Sequence, residues 1–433
     1  MKKIIVAGAG HGGLTAAYNL ARNGCDVTVY EKKKREDMGH DWEDVMSQSA
    51  FNDSGMPMPP KEMFSDFTLA AFYAPSKKMR IDPPERGPVN YQYYVERKAL
   101  INYLIDQCLS VGVKFEFERP AVGAVWSGTH VTGIKLDDPE EIIEDADLVI
   151  DAAGIDSPVR KSLPPFLGIK REIPADCTFY AYRAYYERKT DESLDPPYND
   201  YFFHCGHVGM DWIICKDDCI DILVGKIISM TQEDIDESVN DFKNTYGFIG
   251  DKILRAGTVA KIPLSKTLPM IVADGYVLLG DSGCMIDPMS GSGINICLRA
   301  GKLLADVITE KFCEDLSINT LWEFQYKYFK RIGEKYLSEY IIRNAAMSMT
   351  EDQIEHLFNE GVLTTKEFFG KQIISPVKDA MNKVRGVTGR KELIPIFLKA
   401  YRSSAEVKRV SRMMPAKYNA EAVRKWARAY EAI

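Results

Sequence analysis

The stretch KKIIVAGAGHGGLTAAYNLARNG, residues 2–24, decides the fold of this chain. It begins with a short run of apolar, mostly β-branched residues, which is typical of a buried parallel strand. A glycine-rich loop follows, and then a segment whose apolar residues recur with helical spacing. The order strand, glycine loop and helix predicts the first unit of a doubly wound α/β domain.

The glycines of this stretch have the spacing G-x-G-x-x-G, which predicts a dinucleotide site. Gly8 allows the tight turn, Gly10 lets a pyrophosphate approach the backbone, and Gly13 lets helix and strand pack closely. The next strand, DVTVYEK, ends near Glu31, whose carboxylate can accept hydrogen bonds from a ribose diol and disfavours a 2′-phosphate. The site therefore suits FAD or NAD better than NADP. The predicted cofactor contacts here are Gly8, Ala9, Gly10, His11, Gly12, Gly13, Glu31 and Lys32.

A second turn of the same kind, GYVLLGDSGCMIDPMSGSGINICLRAGKLLADVI, occupies residues 275–308. A buried strand places Asp281 at its end, where the carboxylate can accept a hydrogen bond from a ribityl hydroxyl. The helix that begins near Gly291 to Ile294 can direct its first amides at the flavin ring and stabilise the negative charge of a reduced flavin. Two such turns predict FAD, since one helix end holds the pyrophosphate and the other the redox ring. The predicted contacts are Asp281, Gly291, Gly293, Ile294 and Asn295.

Three motifs in this order resemble those of p-hydroxybenzoate hydroxylase-like flavoproteins, namely GAGHGG, LVIDAAGIDSPVRKSL and LLGDSGCMIDPMSGSGIN. That group includes aromatic monooxygenases, flavin-dependent halogenases and geranylgeranyl reductases. The resemblance implies cofactor contacts from Gly154, from Arg97 at a helix start and from Val122 near the adenine. The alternative for Arg97 is a surface salt bridge. Ala153 stands where the family usually has an aspartate. This difference weakens the hypothesis of a monooxygenase that uses NAD(P)H directly. Arg160 is either part of this motif or an ordinary arginine at a helix start or on the surface.

The resemblance also implies the domain organisation. We expect an α/β protein in which a Rossmann-type FAD-binding domain is interleaved with a β-rich substrate domain and followed by a helical C-terminal region. The expected FAD-binding segments are 1–75, 95–175 and 255–310. The β-rich domain takes 76–94 and 176–254, because alternating segments such as TFYAYRAYYER predict an antiparallel sheet. Residues 311–433 are predicted to be helical.

Three hypotheses for the activity stay open. The first is an FAD-dependent reductase of the geranylgeranyl reductase-like branch, which reduces a carbon–carbon double bond of an apolar, prenyl or lipid-like substrate. The second is a flavin-dependent monooxygenase of an aromatic or apolar small molecule, and the third is a flavin electron carrier or ligand-binding protein. Only Trp212 matches the aromatic signature of the reductases and halogenases, and the catalytic lysine of halogenases has no clear counterpart. No catalytic residue is assigned; the candidates are His40, Tyr91, Trp212 and Cys284.

Composition limits the partners. The chain has 433 residues and nine scattered cysteines, which predict buried thiols and no metal site. No apolar run is long enough to span a membrane, so we expect a cytoplasmic protein. Residues 371–433 carry 15 Lys and Arg against 5 Asp and Glu, without a nucleic-acid signature, so this basic region is either a solvated face or a peripheral membrane contact. No second nucleotide motif identifies the electron donor, which is NAD(P)H, ferredoxin or a partner reductase.

Overall fold

The computed structural model describes residues 2–84, 88–139, 142–190, 199–204, 206–311, 315–369 and 376–433. For residues 88–91, 376, 377, 379 and 380 it describes the backbone alone. None of the helices in these ranges is both long enough and apolar enough to cross a lipid bilayer.

The strands are short in the first half of the chain and longer near its middle. They are β1 (Lys3–Ala7), β2 (Asp26–Glu31), β3 (Glu43–Ser47), β4 (Phe64–Thr68), β5 (Ala70–Tyr73), β6 (Arg80–Ile81), β7 (Pro88–Glu96), β8 (Lys114–Phe117), β9 (Ala121–Ser127), β10 (His130–Leu136), β11 (Ile143–Asp145), β12 (Leu148–Asp151), β13 (Thr178–Arg188), β14 (Asn199–Phe203), β15 (Met210–Cys215), β16 (Cys219–Ile227), β17 (Ile249–Pro263), β18 (Val272–Ala273) and β19 (Tyr276–Leu278).

The helices become frequent after the last strand. They are α1 (His11–Arg22), α2 (Gln48–Asn52), α3 (Arg97–Ser110), α4 (Pro158–Ser162), α5 (Gln232–Thr245), α6 (Ile294–Thr309), α7 (Ile318–Tyr328), α8 (Glu334–Met347), α9 (Glu351–Asn359), α10 (Thr365–Phe369), α11 (Pro376–Gly389), α12 (Leu393–Met413) and α13 (Ala420–Glu431).

The first domain is built on a six-stranded sheet with the order β18-β19-β12-β1-β2-β8. All neighbours in it are parallel except β18 and β19. Ile4, Ile5 and Val6 of the central strand are fully buried, in one core with Leu14 of α1 and Val131 of β10. Helices α1, α3 and α6 pack on it, and α1 touches both of the others. A small antiparallel sheet, β11-β10-β9, follows the second crossover.

The second large unit is a seven-stranded sheet with the order β17-β13-β16-β15-β14-β5-β6. Its central pairs are antiparallel, as the alternating sequence predicts. Helix α5 covers one face, where Tyr182, Ile222 and Phe242 pack together. The opposite face carries Phe179, Ala181 and Leu223, and it turns towards the FAD-binding side of the molecule. A third sheet, β3-β7-β4, joins the two units.

The C-terminal helices pack in two groups. Trp322 of α7 and Trp426 of α13 belong to the core of the first domain. The start of α12 packs with α9 in a separate apolar cluster that also includes Ala74 of the β5–β6 connection. A short π-helical turn, Phe329–Gly333, links α7 to α8. The helical character of this region agrees with the sequence pattern.

The α/β class with an interleaved Rossmann-type unit, a β-rich unit and a helical C-terminal region is confirmed. The expected boundaries differ in two places. Strand β5 lies before residue 76, yet it pairs with β14 of the seven-stranded sheet. Strand β17 continues past residue 255 and pairs with β13 as far as Pro263, so the start of the 255–310 segment belongs to the same sheet. Strand pairing across domains set these limits, which local composition does not reveal.

Candidate functional site

The first glycine turn brings β1, α1 and β12 into close contact. Gly8 has φ +90°, and a methyl group added there would lie 2.7 Å from the Ala152 carbonyl oxygen. A methyl group at Gly13 would lie 2.7 Å from Ala152 Cβ and 2.8 Å from Val6 Cγ1. At Gly10 the Ala152 oxygen would be 3.0 Å away. The three glycines are therefore required by the packing of this turn, which leaves the first amides of α1 facing the end of the sheet.

Glu31 closes this turn from the end of β2. One of its carboxylate oxygens accepts a hydrogen bond from the Ala9 amide at 2.9 Å, and the other accepts one from the Lys33 amide at 2.9 Å. These two hydrogen bonds hold the carboxylate in place. Each oxygen keeps a lone pair, so the carboxylate can still accept a hydrogen bond from a ribose hydroxyl. Lys32, by contrast, is exposed on the far side of the strand end.

Arg97 is the central charge of the site. It begins α3, and its guanidinium pairs with the Asp44 carboxylate of β3. It also lies close enough to act on groups from three other segments. Burial, and then Arg97, lowers the pKa of His11 to about 3, and the same two causes lower the pKa of His40 to about 4. Burial raises the pKa of Asp281, while Arg97 lowers it.

The second glycine turn presents Asp281 to the same place. Asp281 lies in a short 3-10 turn, and its carboxylate accepts no hydrogen bond from any residue that the structure describes. A methyl group added at Gly293 would lie 3.7 Å from Asp281 Oδ1. The first amides of α6 follow directly and have no acceptor within the helix. The Asn295 side chain is already engaged, since its oxygen accepts the Ser47 amide at 2.9 Å.

These observations fit a bound FAD. Within the described part of the chain, His11 Nε2 is a buried nitrogen without a hydrogen-bond partner, and Asp281 is a carboxylate without one. Polar groups of this kind are normally satisfied in the finished structure. Glu31, the α1 amides and Arg97 surround the first turn; Asp281 and the α6 amides surround the second. The individual assignments to FAD atoms stay predictions, including those for Gly12, Gly154, Lys32 and Val122.

Two of these residues lie at the edge of the site. Gly154 has φ +84°, and the space around its α-carbon is open among the described atoms. Val122 is 41% exposed on β9. The chain just before it is tied to the dinucleotide turn, because the Arg119 amide donates to the Glu31 carbonyl at 3.0 Å.

The middle motif is a buried polar network rather than a surface feature. Asp151 is fully buried and accepts hydrogen bonds from Ser157 Oγ at 2.5 Å and Tyr276 Oη at 2.6 Å. Arg160 is also fully buried, and its guanidinium donates to the carbonyls of Ser282, Arg171 and Ile155. The interpretation of Arg160 as a surface arginine is therefore wrong. The motif ties β12 to the second glycine turn, which positions Asp281.

The candidate catalytic residues have different surroundings. His40 stacks on Trp42 with ring centroids 4.1 Å apart. Cys284 is fully buried in a left-handed turn, and burial raises the pKa of its thiol to about 12. The Tyr91 side chain lies outside the described residues. Trp212 lies on β15, and among the described residues its Nε1 is buried without a partner.

Trp212 belongs to an apolar patch that borders the second glycine turn. The patch consists of four buried residues, Phe179, Ala181, Leu223 and Leu264, and three half-buried ones, Trp212, Ile227 and Ile262. A methyl group at Gly291 would lie 3.7 Å from both Ile262 Cγ2 and Leu264 Cδ2. The apolar patch therefore lies next to the predicted position of the flavin ring.

Sequence reasoning missed a buried ion pair beside the patch. Arg183 of β13 and Asp221 of β16 are both buried, and Arg183 Nε donates to Asp221 Oδ1 at 2.8 Å. The guanidinium lies 5.1 Å from the centroid of the Trp212 ring and also donates to the Glu43 carbonyl. An available signal was that each charged residue interrupts an otherwise apolar and aromatic strand. In the described ranges no group of three or more His, Cys, Asp or Glu side chains is arranged to hold a metal ion.

Comparisons with known proteins agree with this geometry. Residues 6–42 match the NAD(P)-binding Rossmann-like domain, and residues 37–334 match the tryptophan halogenase family. The chain is 24% identical to a digeranylgeranylglycerophospholipid reductase of Methanothrix thermoacetophila, over 82% of this chain and 90% of the relative. It is also 24% identical to the protein of that name from Sulfolobus acidocaldarius, over 90% and 88% of the two chains.

Solved structures show the same fold. A geranylgeranyl bacteriochlorophyll reductase-like protein from Thermoplasma acidophilum superposes with a TM-score of 0.74 at 20% identity, covering 90% of this chain and 99% of that one. The flavin-dependent brominase Bmp2 superposes with a TM-score of 0.62 at 16% identity, over 94% and 99%. The protein is thus an FAD-dependent oxidoreductase with the p-hydroxybenzoate hydroxylase-like fold. The family match covers more than half of the chain, so this protein belongs to the tryptophan halogenase family of flavoproteins, and it resembles the geranylgeranyl reductase-like branch of that fold.

Proposed function

We propose that this oxidoreductase reduces a carbon–carbon double bond of an apolar, isoprenoid-type lipid. The observation that carries the proposal is the contact between the apolar patch and the glycine turn at Gly291. A prenyl chain lying on Phe179, Leu223 and Trp212 would place a double bond beside the ring that this turn is predicted to hold. The names of the archaeal relatives, digeranylgeranylglycerophospholipid reductases, support the same substrate class.

When bound and reduced, FAD supplies a hydride to one alkene carbon. The other alkene carbon must take a proton. At neutral pH His40 is uncharged and the Cys284 thiol holds its proton tightly, because burial moves the pKa values of the two groups to about 4 and about 12. Neither group has a pKa near 7, which efficient proton donation at neutral pH requires. We therefore propose that water supplies the proton and that the chain's own contribution is to bind and orient the lipid.

The Arg183–Asp221 pair supports this orienting role. The Arg183 guanidinium lies against Trp212 and is held there by the Asp221 carboxylate and the Glu43 carbonyl. This arrangement fixes the indole while leaving its Nε1 unpartnered among the described residues. A rigid aromatic side chain at the edge of an apolar patch sets the position of a flexible prenyl chain.

The test is an anaerobic turnover experiment. The holoprotein is reduced chemically and mixed with a geranylgeranyl lipid, and flavin reoxidation is followed together with the mass of the lipid. We expect each turnover to add two hydrogen atoms per double bond without oxygen. Trp212→Ala should slow the reaction at least tenfold and keep its FAD, whereas Trp126→Ala, an exposed tryptophan of β9, should react normally.

A flavin monooxygenase is the second candidate, since the family match is to tryptophan halogenases and the brominase shares the fold. Reoxidation that requires oxygen and yields a hydroxylated or halogenated product would establish it and refute the reductase. Reoxidation by neither route would favour the electron carrier. Replacing the chemical reductant in turn by NADH, NADPH and reduced ferredoxin identifies the electron donor.

We also propose that the basic C-terminal region contacts a membrane surface at its periphery. Among the described side chains of α11 and α12, four large apolar ones are exposed, with Tyr401 at 76% and Met381 at 66%. Exposed cations such as Lys408 follow on α12. Apolar and basic side chains on one surface favour anionic lipid, at about 1 kcal/mol for each basic residue at the surface.

Co-sedimentation with phosphatidylserine vesicles tests this contact. We expect binding at low salt that weakens as salt is raised, and weaker binding for Tyr401→Glu and Lys408→Glu. Lys252→Glu, an exposed site on β17, is the matched control. The absence of binding to anionic vesicles at low salt would leave this region a solvated face.

A further inference from the structure

Three arginines are buried in the described part of the chain: Arg160, Arg183 and Arg343. A buried guanidinium needs a hydrogen-bond acceptor for each of its three nitrogens and, in most cases, a counter-charge. For Arg160 all three nitrogens donate to main-chain carbonyls. For Arg183 all three have acceptors, two of which belong to the Asp221 carboxylate.

Arg343 is different. It lies on α8 and is 4% exposed. Its Nη1 donates to Asn344 Oδ1 at 2.8 Å, and its Nη2 reaches the Asp176 carbonyl only at 3.5 Å. Within the described ranges its Nε has no partner, and the guanidinium forms no ion pair. Burial lowers the pKa of Arg343, which is the direction expected for a cation that is left without a counter-charge.

A second cation lies on the same side of α8. Lys266, between β17 and β18, donates to the carbonyls of Tyr430 at 2.8 Å and Glu431 at 3.2 Å, with no ion pair to a described carboxylate. Its Nζ is 5.6 Å from the centroid of the Tyr340 ring, and Tyr340 precedes Arg343 by one helical turn. Burial lowers the pKa of Lys266 to about 8, although Glu431 acts in the opposite direction.

The other charges around Arg343 and Lys266 do not neutralise these two cations. Asp176 and Glu431 are the acidic groups that act on the two cations, and both are exposed. Lys170 adds a further positive charge nearby. The Tyr340 hydroxyl lies 3.9 Å from Cys177 Sγ, a weak partner, and the Asn344 side chain also forms a hydrogen bond with it, so an anion would replace only the contact with the sulfur.

Arg343, Lys266 and Tyr340 also lie next to the apolar patch. Cys177 immediately precedes β13, on which Phe179 begins the patch, and Lys266 follows Leu264, which ends it. The two strands meet here, since Thr178 of β13 pairs with Pro263 of β17. A molecule whose apolar part covers the patch would have its end beside these three residues.

We propose that Arg343, Lys266 and the Tyr340 hydroxyl bind an oxyanion of the phosphate type. A guanidinium offers parallel donors that match phosphate oxygens, and an ammonium adds a point charge. The oxyanion is either the phosphate of a lipid headgroup, in which case the inference rests on the proposed function, or free inorganic phosphate. In both cases the anion supplies the acceptor that Arg343 Nε lacks and the counter-charge that the two cations lack.

The test measures binding to the oxidised holoprotein and requires no turnover, so its failure is distinct from failure of the reductase proposal. Inorganic phosphate, dioctanoyl phosphatidate and dioctanoylglycerol are titrated separately by calorimetry. We expect inorganic phosphate and dioctanoyl phosphatidate to bind. Dioctanoylglycerol, which has no phosphate, should bind at least tenfold more weakly than phosphatidate. Phosphatidate binding at least tenfold tighter than inorganic phosphate identifies the headgroup as the ligand; equal affinities identify free phosphate.

The variants are Arg343→Met, Lys266→Met and, as the control on α8, the exposed Lys335→Met. The first two should weaken phosphate binding at least tenfold and the control less than twofold. In phosphate-free buffer Arg343→Met should also melt no lower than the unchanged protein, because it removes an unpaired buried charge. The proposal is overturned if neither phosphate binds, or if Arg343→Met and Lys266→Met bind both phosphates as the unchanged protein does.

Discussion

Asp281 offers the sharpest test of how the two glycine turns share one cofactor. Its carboxylate is partly buried, accepts no hydrogen bond within the described ranges, and has the Arg97 charge nearby. Asp287, six positions later, is a different kind of aspartate. Its Oδ1 accepts the amides of Met289 at 2.8 Å and Ser290 at 3.3 Å, so it holds the glycine loop together.

The two aspartates should therefore fail in different ways. If Asp281 accepts a hydroxyl of FAD, Asp281→Ala removes a hydrogen bond to a charged group, which is worth about 1.5–3 kcal/mol. That free energy corresponds to a Kd for FAD that rises about 10- to 150-fold. The apoprotein should melt no lower, because the lost carboxylate bonds to no described residue. Asp287→Ala should lower the stability of the apoprotein by about 1–2 kcal/mol and weaken FAD binding less.

The assay is fluorescence titration of each apoprotein with FAD, with thermal denaturation of the same samples. Asp281→Asn is the shape-matched variant, since an amide keeps a weaker acceptor and should lie between the unchanged protein and Asp281→Ala. Equal FAD affinities for Asp281→Ala and Asp287→Ala would refute the assignment. A fall in apoprotein melting temperature for Asp281→Ala would also refute it, because the carboxylate would then serve the fold.

Three further predictions follow from the packing, the charge pairing and the burial of particular residues. Gly13→Val should abolish FAD retention and lower the melting temperature, because the Cβ of the valine would lie 2.7 Å from Ala152 Cβ. The control Gly247→Ala, at a position with open space around it, should have neither effect. A soluble Gly13→Val protein that retains FAD would contradict the prediction. Asp221→Asn should cost about 3–5 kcal/mol in urea unfolding, because it removes the counter-charge of buried Arg183, and a loss below about 1 kcal/mol would show that the pair is unimportant. Burial raises the pKa of Asp200 to about 7, above its value in the unfolded chain, so the unchanged protein loses stability as the pH rises from about 4 to about 7. Asp200→Asn should therefore be more stable than the unchanged protein at pH 8, by at most about 4 kcal/mol, and this difference should shrink towards pH 5. A difference in urea unfolding that does not depend on pH would refute the prediction.

Much of the cofactor site follows from local sequence. Gly8, Gly10 and Gly13 occupy positions where a side chain would meet the backbone or side chain of β12, and such demands leave a fixed spacing in the sequence. Glu31 was found because a parallel strand delivers its last residue to the ligand edge of the sheet. Asp281 was expected at a strand end as well, but it lies in the 3-10 turn that follows β19 at the same edge. Cys284 and His40 were named from proximity in sequence, which says nothing about the burial that makes both unsuited to proton donation.

The sequence by itself determined the α/β class, the two strand–glycine–helix turns and the choice of FAD, because backbone sterics and strand polarity act within a single segment. The tertiary structure alone decided which charges meet. Arg183 faces Asp221 because the register of β13 and β16 brings them together, and Arg160 is buried because α4 packs beneath the second glycine turn. Arg343 is left without a counter-charge because α8 lies over the start of β13. Such pairings depend on register and packing between distant segments, whose energies no local pattern records.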